Sequence, residues 1–541
     1  MMESCRGRTE SWVVARLEDV CVIDDSRRVP VNQDDRTARI VGRSVSELYP
    51  YYGATGMVGW IDGYIFEGEH VLLGEDGAPF LDRSRTKAYV VTGRYWVNNH
   101  AHVLQALIDS RFLAHFLNQF DYHGFVTGTT RLKLNQAAMR SIPVLVPPLV
   151  EQRAIATKID ALFSELDKGV EQLQTIKQQL KQYRQAILKA AFEGRLTAAW
   201  RAEQQAAGTL SSADELLEQI RKEREAHYEQ QIREWKQAIT DWEADGGKGS
   251  RCKKPRRPTM LQAAPPFTDE EWMRLPQLPA NWAWVRFRTL AREMCLGKML
   301  DREKNKGVAR PYLRNANVRW YGFDLDDLNQ MRFEPDEEER YGLKDGDLVI
   351  CEGGEPGRAA VWGSPISSMM IQKALHRVRL LPGYRGLFAL HFLRHASMNG
   401  HLGHYFTGTT IKHLPAEGLE IVPFPLCSAE EQAQINDELE SRLCVLDELD
   451  KAVDQGLERA QVLRQSILKK ASEGRLLSEA ELAAVRTDPE YEPADKLLER
   501  IRAEKGLHDR PSPPRRSRRE SKPTGPSRLR GNTAEAGSEA R

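Results

Sequence analysis

The chain is short of the features that mark most enzymes and most exported proteins. Its seven cysteines lie far apart with no C-x-x-C pair, which excludes a disulfide framework or a zinc knuckle and fits a reducing compartment. No apolar run approaches the ~20 residues of a membrane span, and the N-terminus carries no apolar signal core. A soluble, cytoplasmic protein with no membrane partner is therefore expected. The 78 basic and 77 acidic residues leave a net charge of +1, so any basic surface must be local. No G-x-x-x-x-G-K-[ST] loop is present, which excludes the usual nucleotide-driven motor. An amino-methyltransferase needs Asn or Asp before Pro-Pro-aromatic, and the nearest match, Ala264-Pro265-Pro266-Phe267, has neither. Pro335-Asp336 lacks a Glu-x-Lys at the distance that would complete a nuclease metal site. The expectation is no catalytic residue and no resident metal. His100-x-His102 offers two ligands on a strand edge, but no Cys or acidic partner lies nearby in sequence; a hydrogen-bonded pair or a DNA contact are the alternatives.

What the chain does contain is itself, twice. Thr127-Gly128-Thr129-Thr130 through Glu193-Gly194-Arg195-Leu196 recurs as Thr407-Gly408-Thr409-Thr410 through Glu473-Gly474-Arg475-Leu476, shifted by 280 positions (407 − 127). Glu151-Gln152 matches Glu431-Gln432 at the same shift. Long helices hold a register without gaps and loops do not. The period is too long for a solenoid and implies two-fold pseudo-symmetry within one chain.

At 541 residues there is room for three or four domains. Residues 1–148 read as a mixed α/β globule, with strands at Val71-Leu72-Leu73 and Tyr89-Val90-Val91. A long helix is expected over 149–196, announced by Pro147-Pro148 and free of proline thereafter. Ile159, Leu166, Leu173, Leu180 and Ile187 recur every seven residues, beside a second row of Ile155, Leu162, Gly169, Ile176 and Tyr183. This is a coiled-coil pattern. The second copy, within 429–476, repeats it with Leu439, Leu446, Val453, Ala460 and Ile467. Two narrow stripes favour the helices packing on each other over each lying on its own domain. Each helix would span roughly 60 Å, with Gly169 and Gly456 where backbones approach closely.

Residues 197–276 read as a charged helical insert, 277–428 as a second globule, and 477–541 as a helical extension with a disordered basic tail. Leu216-Leu217-Glu218-Gln219-Ile220-Arg221 reappears as Leu497-Leu498-Glu499-Arg500-Ile501-Arg502. Trp12-Val13-Val14-Ala15-Arg16-Leu17 is echoed by Trp282-Ala283-Trp284-Val285-Arg286-Phe287, and His102 by His376. Between these landmarks the interiors differ almost entirely. The fold class expected is α+β: two pseudo-symmetric α/β domains joined by two long antiparallel coiled-coil helices.

The order of globule, Pro-rich run ending in Glu-Gln, and long helix ending in Lys-Ala-Ala-Phe-Glu-Gly-Arg-Leu, followed by globule and helix again, resembles the specificity subunit of type I restriction–modification systems. The resemblance covers nearly the whole chain except the insert and tail. Tyr51-Tyr52-Gly53-Ala54-Thr55-Gly56, Gly74-Glu75-Asp76-Gly77 and Val97-Asn98-Asn99-His100-Ala101-His102 resemble one class of target-recognition domain in that family. Arg314-Asn315-Ala316-Asn317-Val318 and Gly346-Asp347-Leu348-Val349 resemble another. The second copy departs from Pro-Pro-Leu-x-Glu-Gln by reading Pro423-Phe424-Pro425-Leu426-Cys427-Ser428-Ala429-Glu430-Glu431-Gln432.

The resemblance implies a chain without chemistry of its own. Each globule would read one half of a split, asymmetric site in double-stranded DNA, and the helix pair would set the gap. Two modification subunits, carrying S-adenosylmethionine, and two motor–nuclease subunits, using ATP and Mg, would be its partners. Two rivals stay open: a specificity subunit serving a methyltransferase–nuclease system outside type I, and a scaffold whose globules bind proteins.

Phosphates are held by Lys, Arg, hydroxyls and backbone N–H groups, and base edges by Arg, Asn, Gln and His. On that chemistry the candidate contacts in the first globule are Arg83, Arg85, Lys87, Asn98, Asn99, His100, His102, Thr127, Thr129, Thr130, Arg131 and Lys133. In the second they are Arg302, Lys304, Lys306, Arg314, Asn315, Asn317, Arg319, Lys373, His376, Thr407, Thr409, Thr410 and Lys412. The Thr-Gly-Thr-Thr runs are equally readable as plain turns. Gly353-Gly354-Glu355-Pro356-Gly357 reads as a tight turn, not a phosphate cradle.

Overall fold

The computed structural model describes residues 11–246, 254–259, 263–299, 301, 306–363, 366 and 368–508. The chain divides into two units, residues 1–168 with 459–541, and residues 169–458. The basic tail expected after His508 lies outside the described residues. No helix among those described is long and apolar enough to cross a membrane.

In the first unit, four antiparallel strands run in the order Cys21–Ile23, Ala101–Ala106, His70–Gly74, Ala88–Val91. The two predicted strands are its centre and its edge. A second sheet contains Met57–Ile61, Tyr49–Tyr52, Arg94–Val97 and Phe66–Glu67, with Tyr51 opposite Trp96 in a parallel pair. In the second unit the strands Ala291–Leu296, Leu375–Leu380, Leu348–Cys351 and Ala359–Val361 repeat the first sheet's order. Asn329–Phe333, Val308–Leu313 and Met370–Ile371 form a smaller companion sheet. Each frame is closed by a two-stranded ribbon, Val13–Arg16 with Pro143–Val146 and Ala283–Arg286 with Pro423–Leu426. The echoed Trp-led segments are thus the same strand in each frame.

The long helices are Leu149–Phe192 and Ala429–Ser472. Within the second unit Lys177 pairs with Asp454 at 2.5 Å and Arg184 with Asp447 at 2.6 Å. Seven residues forward on one helix (184 − 177) meet seven back on the other (454 − 447), so the helices are antiparallel there. In the first unit Arg464 pairs with Asp167 and its guanidinium lies 4.3 Å from the Phe163 ring centroid. The predicted interface row faces inward: Ile159, Ile187, Leu439, Leu446, Val453, Ala460 and Ile467 are buried, while Leu166, Leu173 and Leu180 are half-buried.

Two details of the seam differ from expectation. Leu162, Ile176 and Tyr183 of the second heptad row are exposed, as are Val445 and Leu449. The helix contact is therefore one row wide, and the apolar flank beside it is open. Gly456 receives the Leu173 side chain, whose Cδ1 would lie 3.1 Å from an added Cβ, but nothing lies within 4 Å of such a Cβ at Gly169. The close approach is side chain into groove at Gly456 alone.

The charged insert is not a free spacer along its first part. Ser212 caps the helix Ala213–Ala244, and Ala213, Leu216 and Ile220 are buried in the core of the second unit with Trp282 and Phe388. The duplicated Leu497, Leu498 and Ile501 occupy the core of the first unit with Trp12 and Phe112. Each globule is thus completed by the segment following the opposite copy's helix.

Burial also sets an acid sensitivity. His391 and His395 on the helix Gly386–Met398 are lowered to about 4 by burial, and His376 is lowered as well. Their unfolded value near 6.5 lies above the folded one, so the unfolded chain takes up protons first. Stability of the second unit is complete above pH 6.5 and falls as pH drops toward 4. A melting series at pH 7.5 and 5.0 should show the lower midpoint at pH 5.0, and His391→Phe should reduce the difference.

Candidate nucleic-acid interface

The Thr-Gly-Thr-Thr runs build matched hairpins. Thr127 and Lys133 exchange backbone hydrogen bonds at 2.9 and 2.8 Å, and Thr407 and His413 at 2.8 and 2.9 Å. Gly128 and Gly408 turn the chain at φ +97° and +87°. An added Cβ would meet the Arg131 carbonyl oxygen at 2.4 Å and that of Ile411 at 2.1 Å, so only glycine fits. The turn is required, and it leaves Thr129, Thr130 and Arg131, and Thr409, Thr410 and Lys412, exposed at its tips.

Both hairpins are tied down by the echoed histidines. His376 Nε2 donates to the Leu414 carbonyl at 2.8 Å, and Leu414 N–H donates to the Glu352 carbonyl at 2.7 Å. In the first unit His102 Nε2 lies 2.9 Å from the Leu134 carbonyl, and Leu134 N–H donates to the Glu75 carbonyl at 2.8 Å. His102 Nδ1 lies 2.6 Å from Asp25 Oδ2. His102 and His376 are 1% and 2% exposed, so both side chains are enclosed beneath the hairpins. Both are positioning residues, contrary to their nomination as contacts.

Lys87 and Asn317 require the same correction. Lys87 is fully buried, and its Nζ donates to the carbonyls of Asp82, Arg85 and Asn118 at 2.6, 3.0 and 3.2 Å. Burial lowers its pKa to about 8, and three acceptors hold the ammonium in place. Replacing Lys87 by Met should lower the stability of the first unit by about 1–3 kcal/mol, because the part-buried carbonyls of Asp82, Arg85 and Asn118 lose their donor. Chemical denaturation measures that loss, whereas a mere phosphate contact would leave stability unchanged. Asn317 is buried, donating to the Asp324 and Asp327 carbonyls at 3.0 and 2.9 Å.

The remaining nominees sit at the surface or at its margin. Arg83, Arg85, Asn99, Thr127, Lys133, Lys306, Arg319, Lys373 and Thr407 are exposed, and Asn98, His100, Arg314 and Asn315 are half-buried. Several cations are already paired: Arg83 with Asp121, Arg131 with Asp76 and Arg314 with Asp327, at 3.2, 2.7 and 2.6 Å. Asn98 Oδ1 accepts from His100 N–H at 2.8 Å. Arg302 and Lys304 lie outside the described residues.

Asp25, Glu75 and His102 lie close enough to share a cation. The Arg28 guanidinium already serves them, 2.6 Å from Glu75 and 3.4 Å from Asp25, so the cluster reads as an ion-pair network beneath the hairpin.

The pattern reading overlooked the helix Gln33–Ile40, which buries no residue and starts at an Asn32 cap. Arg36 lies over the Tyr51 ring and Arg39 over Trp96, at 4.8 and 4.9 Å. Asn32-Gln33-Asp34-Asp35 was the available signal, an N-cap followed by acids. Ile411, 65% exposed at the second hairpin tip, and Trp60 were also missed.

The doubled Glu-Gln pair joins each helix to its globule. Glu151 Oε1 accepts from the Trp12 indole N–H at 2.9 Å. Gln152 accepts from Asp109 N–H at 2.9 Å and donates to the Pro147 carbonyl at 2.7 Å. Glu431 accepts from the Trp282 indole at 2.8 Å, and Gln432 accepts from Arg385 N–H at 2.9 Å and donates to the Cys427 carbonyl at 3.0 Å. The altered approach through Cys427 and Ser428 keeps the same clamp.

Comparison with known proteins agrees with this architecture. Residues 9–182 match the family described as the type I restriction modification DNA specificity domain. A Haemophilus influenzae protein named as a type I restriction enzyme specificity subunit is 36% identical over 148 residues, which is 27% of this chain. This chain spans only about a third of that relative's length, 36%. The EcoKI specificity subunit of Escherichia coli K12 is 24% identical over 415 residues, covering 74% of this chain and 73% of that one. A solved chain from a study of complex assembly and conformational transition in a type I system shares the fold. Its TM-score is 0.54 at 14% identity, over 86% of this chain and 98% of that one. With one fold frame repeated in both units and the match running from the first globule into its helix, residues 9–182 carry the type I restriction modification DNA specificity domain, and the chain as a whole is similar to type I specificity subunits.

Proposed function

We propose that this chain gives a type I restriction–modification complex its DNA sequence, each globule reading one half of a bipartite, asymmetric site while the helix pair sets the gap. The observation that carries the reading is a shared frame with divergent surfaces. Both units keep the Trp–Glu clamp and the histidine-tied hairpin, yet the hairpin tips present Arg131 in one and Ile411 and Lys412 in the other. Common hydroxyls and backbone position phosphates, and differing side chains select bases.

The chain itself performs no chemistry in this reading. Two modification subunits bring S-adenosylmethionine, and two motor–nuclease subunits bring ATP and Mg chemistry. The open flank of the helix pair is where the modification subunits dock. In the second unit it forms a groove of about 720 Å³ lined by Ile176, Tyr183, Val445 and Leu449, an apolar surface that calls for a protein cover.

DNA retardation by the chain in complex with its modification subunit tests the reading. Affinity should fall steeply with salt as phosphate contacts release counterions. Absence of retardation at any salt would reverse it in favour of a protein-binding scaffold.

A further inference from the structure

The second unit holds a polar cavity that DNA reading leaves unused. It measures about 600 Å³ and lies between the insert helix Ala213–Ala244 and the sheet edge at Ala291–Leu296, within the size range of small-molecule sites. Arg377 borders it and is 3% exposed. Its Nη1 donates to the Glu339 and Gly342 carbonyls at 3.2 and 3.0 Å, and its Nη2 to Glu293 at 2.9 Å. Its buried Nε makes no hydrogen bond among the described residues, and the same holds for Arg292 Nε, which has Glu293 only at 3.9 Å, and for His227 Nε2 across the cavity. A buried polar atom without a partner costs about 1–3 kcal/mol, so three around one cavity mark a place for a guest with hydrogen-bonding oxygens.

The charge there is predominantly positive. Arg224, Arg292, Arg340 and Arg377 stand against Glu293 and Glu339. Glu293 is already engaged by Arg377 and by Arg379, the latter at 2.7 Å, and lies 3.9 Å from Arg292. Guanidinium groups match phosphate oxygens in fork geometry, and Tyr228 adds an aromatic wall.

We propose that this cavity binds a phosphate-bearing small molecule, its phosphate on the arginines and the rest against the insert helix. The insert then serves as a ligand-binding element and not only as a connection.

Calorimetric titration of the full chain with inorganic pyrophosphate and, separately, with adenosine 5′-monophosphate tests this. Saturable binding of either is expected, the tighter probe telling a free phosphate from a nucleotide. Arg292→Ala and Arg340→Ala, at a half-buried and an exposed position, should each weaken it by about tenfold or more with the melting midpoint kept. No saturable binding of either probe, or unchanged affinity in both variants, would overturn the assignment.

Discussion

Glu431→Ala is expected to destabilise the second unit by about 3–5 kcal/mol, the cost of leaving a buried charge without its partner. The Glu431 side chain is fully buried and accepts from the Thr197 hydroxyl at 2.9 Å, the Arg201 guanidinium at 2.9 and 2.7 Å, Asn281 at 3.0 Å and the Trp282 indole at 2.8 Å. Alanine leaves the Arg201 guanidinium, 15% exposed, with the Gly194 carbonyl, the Thr197 hydroxyl and the Trp282 ring but no carboxylate. The matched change in the first unit should cost less, about 1–3 kcal/mol, because Glu151 receives only the Trp12 indole among the hydrogen bonds found. Equilibrium denaturation of both variants compares the two. Equal losses would mean that Arg201, Thr197 and Asn281 together add nothing and that the clamp acts through the indole alone.

Leu446→Pro should be as damaging, by another route. Position 446 lies inside the helix Ala429–Ser472 and its side chain is 3% exposed. Proline removes a helical hydrogen bond and clashes with the preceding turn, at about 3 kcal/mol or more, and the buried leucine is lost with it. Loss of helical circular dichroism and of binding to the modification subunit is expected together. Leu446→Met, which keeps volume and backbone, should cost less than about 1.5 kcal/mol. If the proline variant still assembled, the helix pair would not be the spacer.

Much of this architecture was legible because duplication writes long-range constraints into local letters. A gapless shift of 280 implied paired helices, and the salt bridges Lys177–Asp454 and Arg184–Asp447 run antiparallel between them. The tryptophan and histidine echoes marked real equivalences. Their roles were not legible, because Trp12 finds Glu151 139 residues away and His102 ties down Leu134 through folding alone. Lys87 shows the opposite failure. A basic, hydroxyl-rich run reads as surface, yet Asn118 and the turn at Asp82 supply carbonyls that draw the ammonium inside. The insert's high charge likewise hid Leu216 and Ile220, one apolar stripe that suffices to dock the helix. The outer heptad row was misread because apolar spacing cannot say which protein covers it: Ile176 and Tyr183 face away from the partner helix.

The most direct measurement is a genome-wide map of methyl-adenine in a test host expressing this chain with its modification subunit, repeated with residues 277–428 exchanged for another such domain. The account predicts methylation at a split motif with a fixed unspecified gap, absent without this chain, and a change in one half only after the exchange. Methylation unaffected by omitting the chain, or an exchange that alters both halves, would contradict it.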